Sequence, residues 1–218
     1  TLRKSNDVDT ISITKPSKDT YEHGEKLDLT DGVINVVYTD GTNGTIPFSK
    51  AVITENDGTT PVNMSPDSYD STQKVTKTLK ITYTAPNGKT QTIDYPITIV
   101  NTVTGISMKD YPERNYAVGA DEDLTGGTIE VTRKNGSKET ISLDDSRISV
   151  TGFDSSVENT NVPISVAFTE NNVTKNTSYT ISVTDAVDSI VIKDTPKTAY
   201  KYGEKLDVTG GTLTVTKK

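Results

Sequence analysis

Short segments in which apolar and polar residues alternate recur along the whole chain. Their bounds are 11–13, 34–38, 44–48, 79–83, 91–95 and 97–99, followed by 106–108, 129–131, 141–143, 148–150, 164–168 and 179–183. Alternation with a period of two predicts strands with one buried and one solvated face, as in antiparallel sheets. No stretch of ten residues shows the apolar stripe of a helix, so we expect an all-β protein.

Turn residues separate these predicted strands. The pairs Asp40-Gly41, Asn87-Gly88 and Asn135-Gly136 predict hairpins, because Asn, Asp and Gly tolerate the positive φ angles of tight turns. Asn172 holds the place of Asn87 in the second half of the chain. About seven short strands in about 90 residues are typical of a two-sheet sandwich of immunoglobulin type.

The pattern repeats itself three times. The segments 8–13, 103–108 and 187–192 share the form Val-x-x-Ile-x-aliphatic or Met, and eight residues later each is followed by Tyr21, Tyr116 or Tyr200. A glycine stands three residues after each tyrosine. Five residues further comes an aliphatic side chain, followed by Thr-Asp-Gly or Thr-Gly-Gly and a new strand. Matches at fixed spacing over this length indicate duplicated domains.

The repeat sets the expected domain bounds. Residues 8–101 and 102–185 are predicted as two complete sandwiches, and 186–218 as the incomplete start of a third. Residues 1–7 are predicted to be the tail of a preceding unit or a linker. Thr1 is not a natural start, so we expect a mature fragment or an excised piece. The longer period of the first repeat falls mostly between Gly41 and Tyr83, where 58–67 reads as extra loop.

One segment carries a resemblance to a known family. The residues Tyr21-x-x-Gly24-Glu25-x-Leu27-Asp28-Leu29-Thr30-x-Gly32, and their counterparts in 200–211, resemble the bacterial Ig-like repeats of Gram-positive surface proteins. The second repeat departs from the motif at Ala120 and Glu122. The resemblance implies tandem, antiparallel Greek-key sandwiches in a secreted protein at the bacterial cell surface. It supplies no shared catalytic residues, no cofactor and no metal.

Composition agrees with this fold and limits the chemistry. Ile and Val together number 38 and Thr another 38, against eight Leu, which favours strands over helices. The chain has no cysteine, so disulfides, thiolate zinc sites and a cysteine nucleophile are excluded. A formal charge of −7 argues against nucleic acid as a partner, and no apolar run is long enough to enter a membrane.

Candidate reactive residues are few. His23 is the single histidine, and Val118 and Tyr202 stand in its place in the other repeats, so we predict a surface-loop position without catalysis. Carboxylates cluster at 121–123 and 144–145. Asp7, Asp9, Asp185 and Asp188 recur near repeat starts, where calcium at domain junctions is an alternative to plain solvated charge.

Surface modification and ligand binding stay open as alternatives. The triplets at Asn43, Asn63, Asn135, Asn172 and Asn176 fit the glycosylation sequon, a match expected by accident in a chain rich in Asn and Thr. A Lys–Asn isopeptide crosslink needs a buried lysine beside an asparagine and an acid. Exposed tyrosines such as Tyr69, Tyr111 and Tyr202 offer rings for sugar stacking, although the chain has no tryptophan.

Three functions follow as hypotheses. The first is a non-catalytic spacer or lattice module, in which short linkers at 101–102 and 185–186 join neighbouring repeats with limited bending. Its partners are the adjoining repeats of the same chain and other copies in a surface assembly. The second is an adhesive module for a host protein or glycan, for which the loop 58–67 is the outlying feature. The third is an accessory domain of a secreted enzyme.

Overall fold

The computed structural model describes residues 7–185 and 187–217, which form sixteen β-strands and one 3-10 turn. The strands are β1 (Val8–Thr14), β2 (Thr20–Glu22), β3 (Val33–Tyr38), β4 (Asn43–Ile46), β5 (Val52–Thr54), β6 (Lys74–Thr84), β7 (Thr90–Val100), β8 (Val103–Asp110), β9 (Asn115–Ala117), β10 (Thr128–Arg133), β11 (Lys138–Ser142), β12 (Ile148–Thr151), β13 (Asn159–Glu170), β14 (Val173–Thr184), β15 (Val187–Asp194) and β16 (Thr212–Lys217). The 3-10 turn covers Phe48–Lys50. Within the described ranges, no helix has the length and apolar character that crossing a membrane requires.

Each of the first two repeats contains one three-stranded and one four-stranded sheet. Their strand orders are β1-β3-β4 and β2-β7-β6-β5 in the first repeat, and β11-β10-β8 and β12-β13-β14-β9 in the second. By contacts, the chain divides into two compact units. The first unit runs to Thr104 and includes Thr132–Ser137. The second unit comprises Gly105–Val131 and the residues from Lys138 onward.

The core of the first repeat lies between its two sheets. Ile34 and Val36 of β3 are buried on one side, and Leu79, Ile81 and the β7 residues Tyr95, Ile97 and Ile99 are buried on the other. Ile13 and Phe48 pack against both groups, which joins the layers. In the second repeat, Ile129, Val131, Val166 and Phe168 are fully buried. The all-β immunoglobulin-like prediction is therefore confirmed.

Predicted turns are confirmed, whereas three short strands escaped prediction. Gly41, Gly88 and Gly136 have φ angles of 85°, 85° and 82°, and Asn171 and Asn172 have 49° and 62°. The strands β2, β5 and β9 have only three residues each, too few to show alternation. Two of them pair in parallel, β2 with β7 and β9 with β14, so the sheets are mixed rather than purely antiparallel.

Two further predictions on strands were wrong. The predicted strand 44–48 ends at Ile46, because Pro47 precedes the 3-10 turn at Phe48–Lys50. The segments predicted as separate strands at 91–95 and 97–99 form the single strand β7, which passes through Pro96 opposite Thr78. Because β2 pairs only with Thr98–Val100, β7 has a free edge near Pro96, where the missing N–H of proline is tolerated.

In the third repeat, the described residues 187–217 form the two-stranded antiparallel sheet β15-β16. Ile190 lies opposite Val215, and Ile192 lies opposite Leu213, so these four aliphatic side chains share one face. All four are exposed, by 49% to 62%. The predicted bounds at residues 1–6, 186 and 218 lie outside the described residues, and the bounds between repeats stay predictions.

Candidate functional site: repeated tyrosine anchors and linker residues

The repeated tyrosine anchors a loop in all three repeats. The hydroxyl of Tyr116 donates to the carbonyl of Asp123 at 3.0 Å and accepts from the N–H of the same residue at 3.2 Å. Tyr200 makes the same two bonds to Asp207 at 2.7 and 2.9 Å. The hydroxyl oxygen of Tyr21 lies 3.4 Å from both the carbonyl oxygen and the backbone nitrogen of Asp28. In the second and third repeats, one hydroxyl therefore satisfies both backbone groups of a residue seven positions later. In the first repeat, the hydroxyl of Tyr95 is a nearer partner of Tyr21, at 2.7 Å.

The glutamate of the motif fixes the turn after the tyrosine. A carboxylate oxygen of Glu25 accepts the N–H of Glu22 at 2.9 Å, and Glu204 accepts that of Lys201 at the same distance. Ion pairs with Lys18 and Lys197 lower the pKa of these glutamates. In the second repeat Ala120 lacks this carboxylate. There the hydroxyl of Ser155 donates to the Ala120 carbonyl at 2.7 Å and holds the turn from the opposite segment.

The motif aspartates form local turns rather than ligand sites. The carboxylates of Asp28, Asp123 and Asp207 each accept the N–H of a threonine two residues later. These hydrogen bonds stabilise the charged form and lower the pKa of all three carboxyls. These repeated aspartates therefore stabilise the backbone of the loop that follows each tyrosine.

Asn101 in the first linker is the most completely buried polar residue of the first unit. It is 1% exposed. Its backbone N–H donates to the Gln73 carbonyl at 2.9 Å, and its side-chain Nδ2 donates to Gln73 Oε1 at 3.3 Å. Its Oδ1 accepts the N–H of Asn135 at 3.0 Å. The amide thus links the first sandwich to the hairpin 132–137, which belongs to the same unit.

Thr102 extends this connection. Its carbonyl accepts the N–H of Lys134 at 2.9 Å, and its hydroxyl donates to Glu22 Oε1 at 2.7 Å. Arg133, in the same hairpin, is 3% exposed. We call the set Glu22, Gln73, Asn101, Thr102 and Asn135 the linker clasp. A two-residue linker held by five hydrogen bonds leaves little freedom to the backbone that it contains.

The second linker is built differently. Asp185 stands 84 positions after Asn101, as Lys217 stands 84 after Arg133. Nζ of Lys217 lies 3.6 Å from carboxylate oxygens of both Asp185 and Glu158, and about half of its side chain is exposed. Exposed ion pairs at this distance contribute little to stability and weaken with salt.

The structure does not bring the remaining candidate residues together. Asp144 accepts from Ser142, while Asp145 binds Arg147, which also binds Glu170 at 2.8 Å. The Arg147 guanidinium lowers the pKa of Asp145 to about 2. Among the described residues, no group of three His, Asp or Glu side chains could hold a metal ion. Junction calcium, the sequons and the isopeptide crosslink stay untested.

His23 is half-buried rather than part of an open surface loop, because the extra segment of the first repeat covers it. Its Nδ1 lies 2.5 Å from the hydroxyl of Tyr69, and the N–H of Gly24 donates to the Met64 carbonyl at 2.8 Å. Val62, Met64 and Tyr69 pack against the core. Burial and the charge of Glu22 raise the pKa of Tyr69. The expectation that Tyr69 is exposed was therefore wrong.

The three tyrosines considered for sugar binding differ in how much of their surface they expose. Tyr111 is half-exposed but stacks with Arg114 and packs edge-on against Tyr179. Tyr202 is fully exposed. A shallow depression of about 480 Å³ on the outer face of β1-β3-β4 is lined by Thr10, Ser12 and Asn35, among others, without an aromatic side chain.

Comparison with known proteins bears on the family of the first repeat. Residues 14–94 match the family model of the bacterial Ig-like domain, group 3. The first repeat is similar to this domain family over nearly its whole length. The predicted resemblance is thereby confirmed for this Ig-like repeat, whose motif Tyr21-x-x-Gly24-Glu25 lies within the match.

Two other comparisons are less informative. The chain is similar to the solution structure of a candidate surface protein, with 22% identity and a TM-score of 0.24. That match covers 46% of this chain and 96% of the other. No curated protein matches the chain.

Sequence patterns do not reveal the residues that contribute most to the site. Asn101 is predicted only as part of the short linker at 101–102. Its burial depends on Gln73 and Asn135, which are distant in sequence. Tyr95 was missed as a core residue, although it is fully buried and hydrogen-bonds Tyr21 at 2.7 Å. Tyr95 ends the alternating segment 91–95, and another alternating segment, 97–99, follows directly after Pro96. This position was the signal in the sequence that its side chain is buried.

Proposed function

We propose that this chain is a non-catalytic spacer module of a secreted bacterial surface protein, in which bacterial Ig-like repeats follow one another in tandem. The family match of residues 14–94 supports a surface role, since the family is typical of bacterial surface proteins. The same family has no shared catalytic residues. Asp123, Asp144 and Asp145 of the carboxylate clusters and the one histidine have structural partners, which supports a role without chemistry.

The linker clasp is the observation that carries the spacer proposal. A spacer must transmit position from one repeat to the next, so its linkers should be ordered rather than free. Asn101 is buried and makes hydrogen bonds both to Gln73 and to Asn135, and Thr102 is bound on two sides. An adhesive loop is not favoured, because the extra segment 58–67 packs back onto the first repeat.

Spin-label distance measurements test the proposal. Because the chain has no cysteine, Thr45→Cys and Thr169→Cys place one label in each of the first two repeats. We expect one narrow distance distribution, which Asn101→Gly broadens. The control Asn176→Gly removes an exposed asparagine of β14 and should leave the distribution narrow. A broad distribution in the unmutated chain would contradict the spacer proposal.

A further inference from the structure

Strand β14 of the second repeat has a backbone edge that is open over most of its length. On one side β14 pairs with β13, and on the other side it pairs with β9 only over Ser182–Thr184. The N–H of Ser182 donates to the Arg114 carbonyl at 2.7 Å, and the Thr184 carbonyl accepts the N–H of Val118 at 3.3 Å. Even-numbered residues of β14 therefore direct their backbone groups to this second side. We give the name open edge to the exposed even-numbered residues before Ser182, which are Thr174, Asn176, Ser178 and Thr180.

The corresponding edge of the first repeat is protected in two ways. Pro96 of β7 stands 84 positions before Thr180 and has no N–H to offer at that point. Near the turn that begins β7, Lys89 forms an ion pair with Asp9 of β1 at 3.0 Å. Proline and charged side chains are two of the means by which natural sheets keep an edge strand from pairing with another chain.

The second repeat lacks both protections. Thr180 stands where the first repeat has its proline, and Val173 and Thr104 stand where it has the lysine and the aspartate of the ion pair. Each residue of the open edge presents one N–H and one carbonyl, and successive residues of the edge are about 7 Å apart along the strand. This side of β14 is therefore a template for a further strand.

We propose that the open edge binds an extended segment of another protein, which joins the sheet β12-β13-β14-β9 as an added strand. An extended backbone supplies donors and acceptors in the same alternation, so main-chain hydrogen bonds carry the affinity. The pairing of β9 shows that this side of β14 accepts a strand. The proposal is independent of the spacer role, which rests on the linker clasp.

Charge favours a partner protein over a second copy of this chain. Lys175 is the one charged residue of β14, and it is half-buried opposite Phe168. Two copies that paired through this edge would each bring a lysine and no carboxylate, and each chain carries −7. A partner segment with Asp or Glu opposite Lys175 gains a cross-strand ion pair instead. We therefore expect an extended segment of alternating side chains with a carboxylate at that position.

Hydrogen exchange of the full chain, followed by NMR, tests the proposal. The probe is a short synthetic peptide in which Thr and Val alternate around a central Glu. We expect this peptide to slow exchange of the open-edge amides at least about tenfold, and to leave the amides of Thr90 and Thr92 on the protected edge unchanged. The same peptide with alternate backbone nitrogens methylated lacks the donors and should protect neither edge.

Two substitutions give a second measurement. Thr180→Pro introduces the proline of the first repeat and should weaken peptide binding at least about tenfold, whereas the matched control Thr180→Ala keeps the N–H and should bind normally. Lys175→Glu should weaken binding of the Glu peptide and strengthen binding of a peptide with central Lys, each by about two- to fivefold. Unchanged thermal unfolding of the second repeat confirms that each variant is folded.

Three results would overturn the proposal. The first is an absence of protection at the open edge by the peptide. The second is equal binding by Thr180→Pro and Thr180→Ala. The third is protection that rises with protein concentration when no peptide is present, because it would assign the open edge to a second copy of the chain.

Discussion

Strand β10 of the second repeat and strand β16 of the third repeat carry almost the same residues in opposite environments. Ile129 and Val131 of β10 are fully buried, and Leu213 and Val215, 84 positions later, are half-exposed or more. Each strand lies beside the first strand of its repeat, β8 or β15, and each follows the motif that begins at Tyr116 or Tyr200. Alternation therefore specifies the strand and its register, whereas burial depends on a second sheet that packs on it. Equivalent positions of the second and third repeats are 84 residues apart. The same substitution at both members of such a pair measures what burial contributes to stability.

The largest difference is expected at the apolar positions. Ile129→Ala should lower the free energy of unfolding of the second repeat by about 2–5 kcal/mol, because it leaves a cavity in a packed core. Leu213→Ala should change stability by less than about 0.5 kcal/mol, since the side chain is already in water. Urea unfolding followed by circular dichroism measures both. Equal losses would show that the third repeat has a core of its own.

Substitutions in the two linkers should differ less in their effect on stability than substitutions at the apolar positions. Asn101→Ala removes two hydrogen bonds of a buried amide, one to Gln73 and one to Asn135, at a cost of about 1–3 kcal/mol. Asp185→Ala removes only a screened ion pair and should cost less than about 0.5 kcal/mol. Hydrogen exchange of the amide of Asn135, which donates to Asn101, reports the first change directly. Slow exchange of that amide in Asn101→Ala would contradict the role given to the linker clasp.

The repeated tyrosines Tyr116 and Tyr200 should show the next largest difference in stability. Tyr116→Phe leaves two backbone groups of Asp123 without the hydroxyl that binds both, at a cost of about 1–2 kcal/mol in the buried setting of Tyr116. Tyr200→Phe removes the same bonds in a more exposed repeat, where water replaces them, and should cost less than about 0.5 kcal/mol. Thermal unfolding of the two variants gives the comparison. A larger loss of stability in Tyr200→Phe than in Tyr116→Phe would contradict the link between burial and the strength of these bonds.

The smallest effect is the dependence on acid that Asp145 contributes in the second repeat. Arg147 lowers the pKa of Asp145 to about 2. Asp145 therefore stabilises the fold above its unfolded pKa near 4, and this contribution is lost as the pH falls from about 4 to about 2. Solvent screening limits it to about 1 kcal/mol. Melting temperatures across this range should fall less steeply in Arg147→Gln, which removes the partner, than in the unmutated chain.

Regular patterns could be predicted from the sequence, and contacts between distant residues could not. The long hairpins β6-β7 and β13-β14 follow from alternation and from Asn87 and Asn172 at their turns. The three-residue strands β2 and β9 show no pattern, because each forms by pairing in parallel with a strand 78 or 67 residues later in the chain. Phe48 was assigned to a strand because Pro47 does not end an alternation of side chains, although it ends the backbone pairing.

The same limit applies to the site. The spacing of Tyr21, Tyr116 and Tyr200 revealed a repeated unit, but the bond from each hydroxyl to a backbone seven residues later is a three-dimensional feature. Asn101 could be placed in a linker from the sequence. Whether a linker asparagine is buried depends on what folds over it, here the hairpin that contains Asn135.

The parallel pairing of β2 with β7 determines how a repeat responds to tension. The chain enters the first repeat ahead of Thr20 and leaves it after Val100, and Thr20–Glu22 lies beside Thr98–Val100 in the same direction. Pulling on the two ends slides these strands along each other, so their hydrogen bonds are loaded together in shear. β9 and β14 repeat this arrangement.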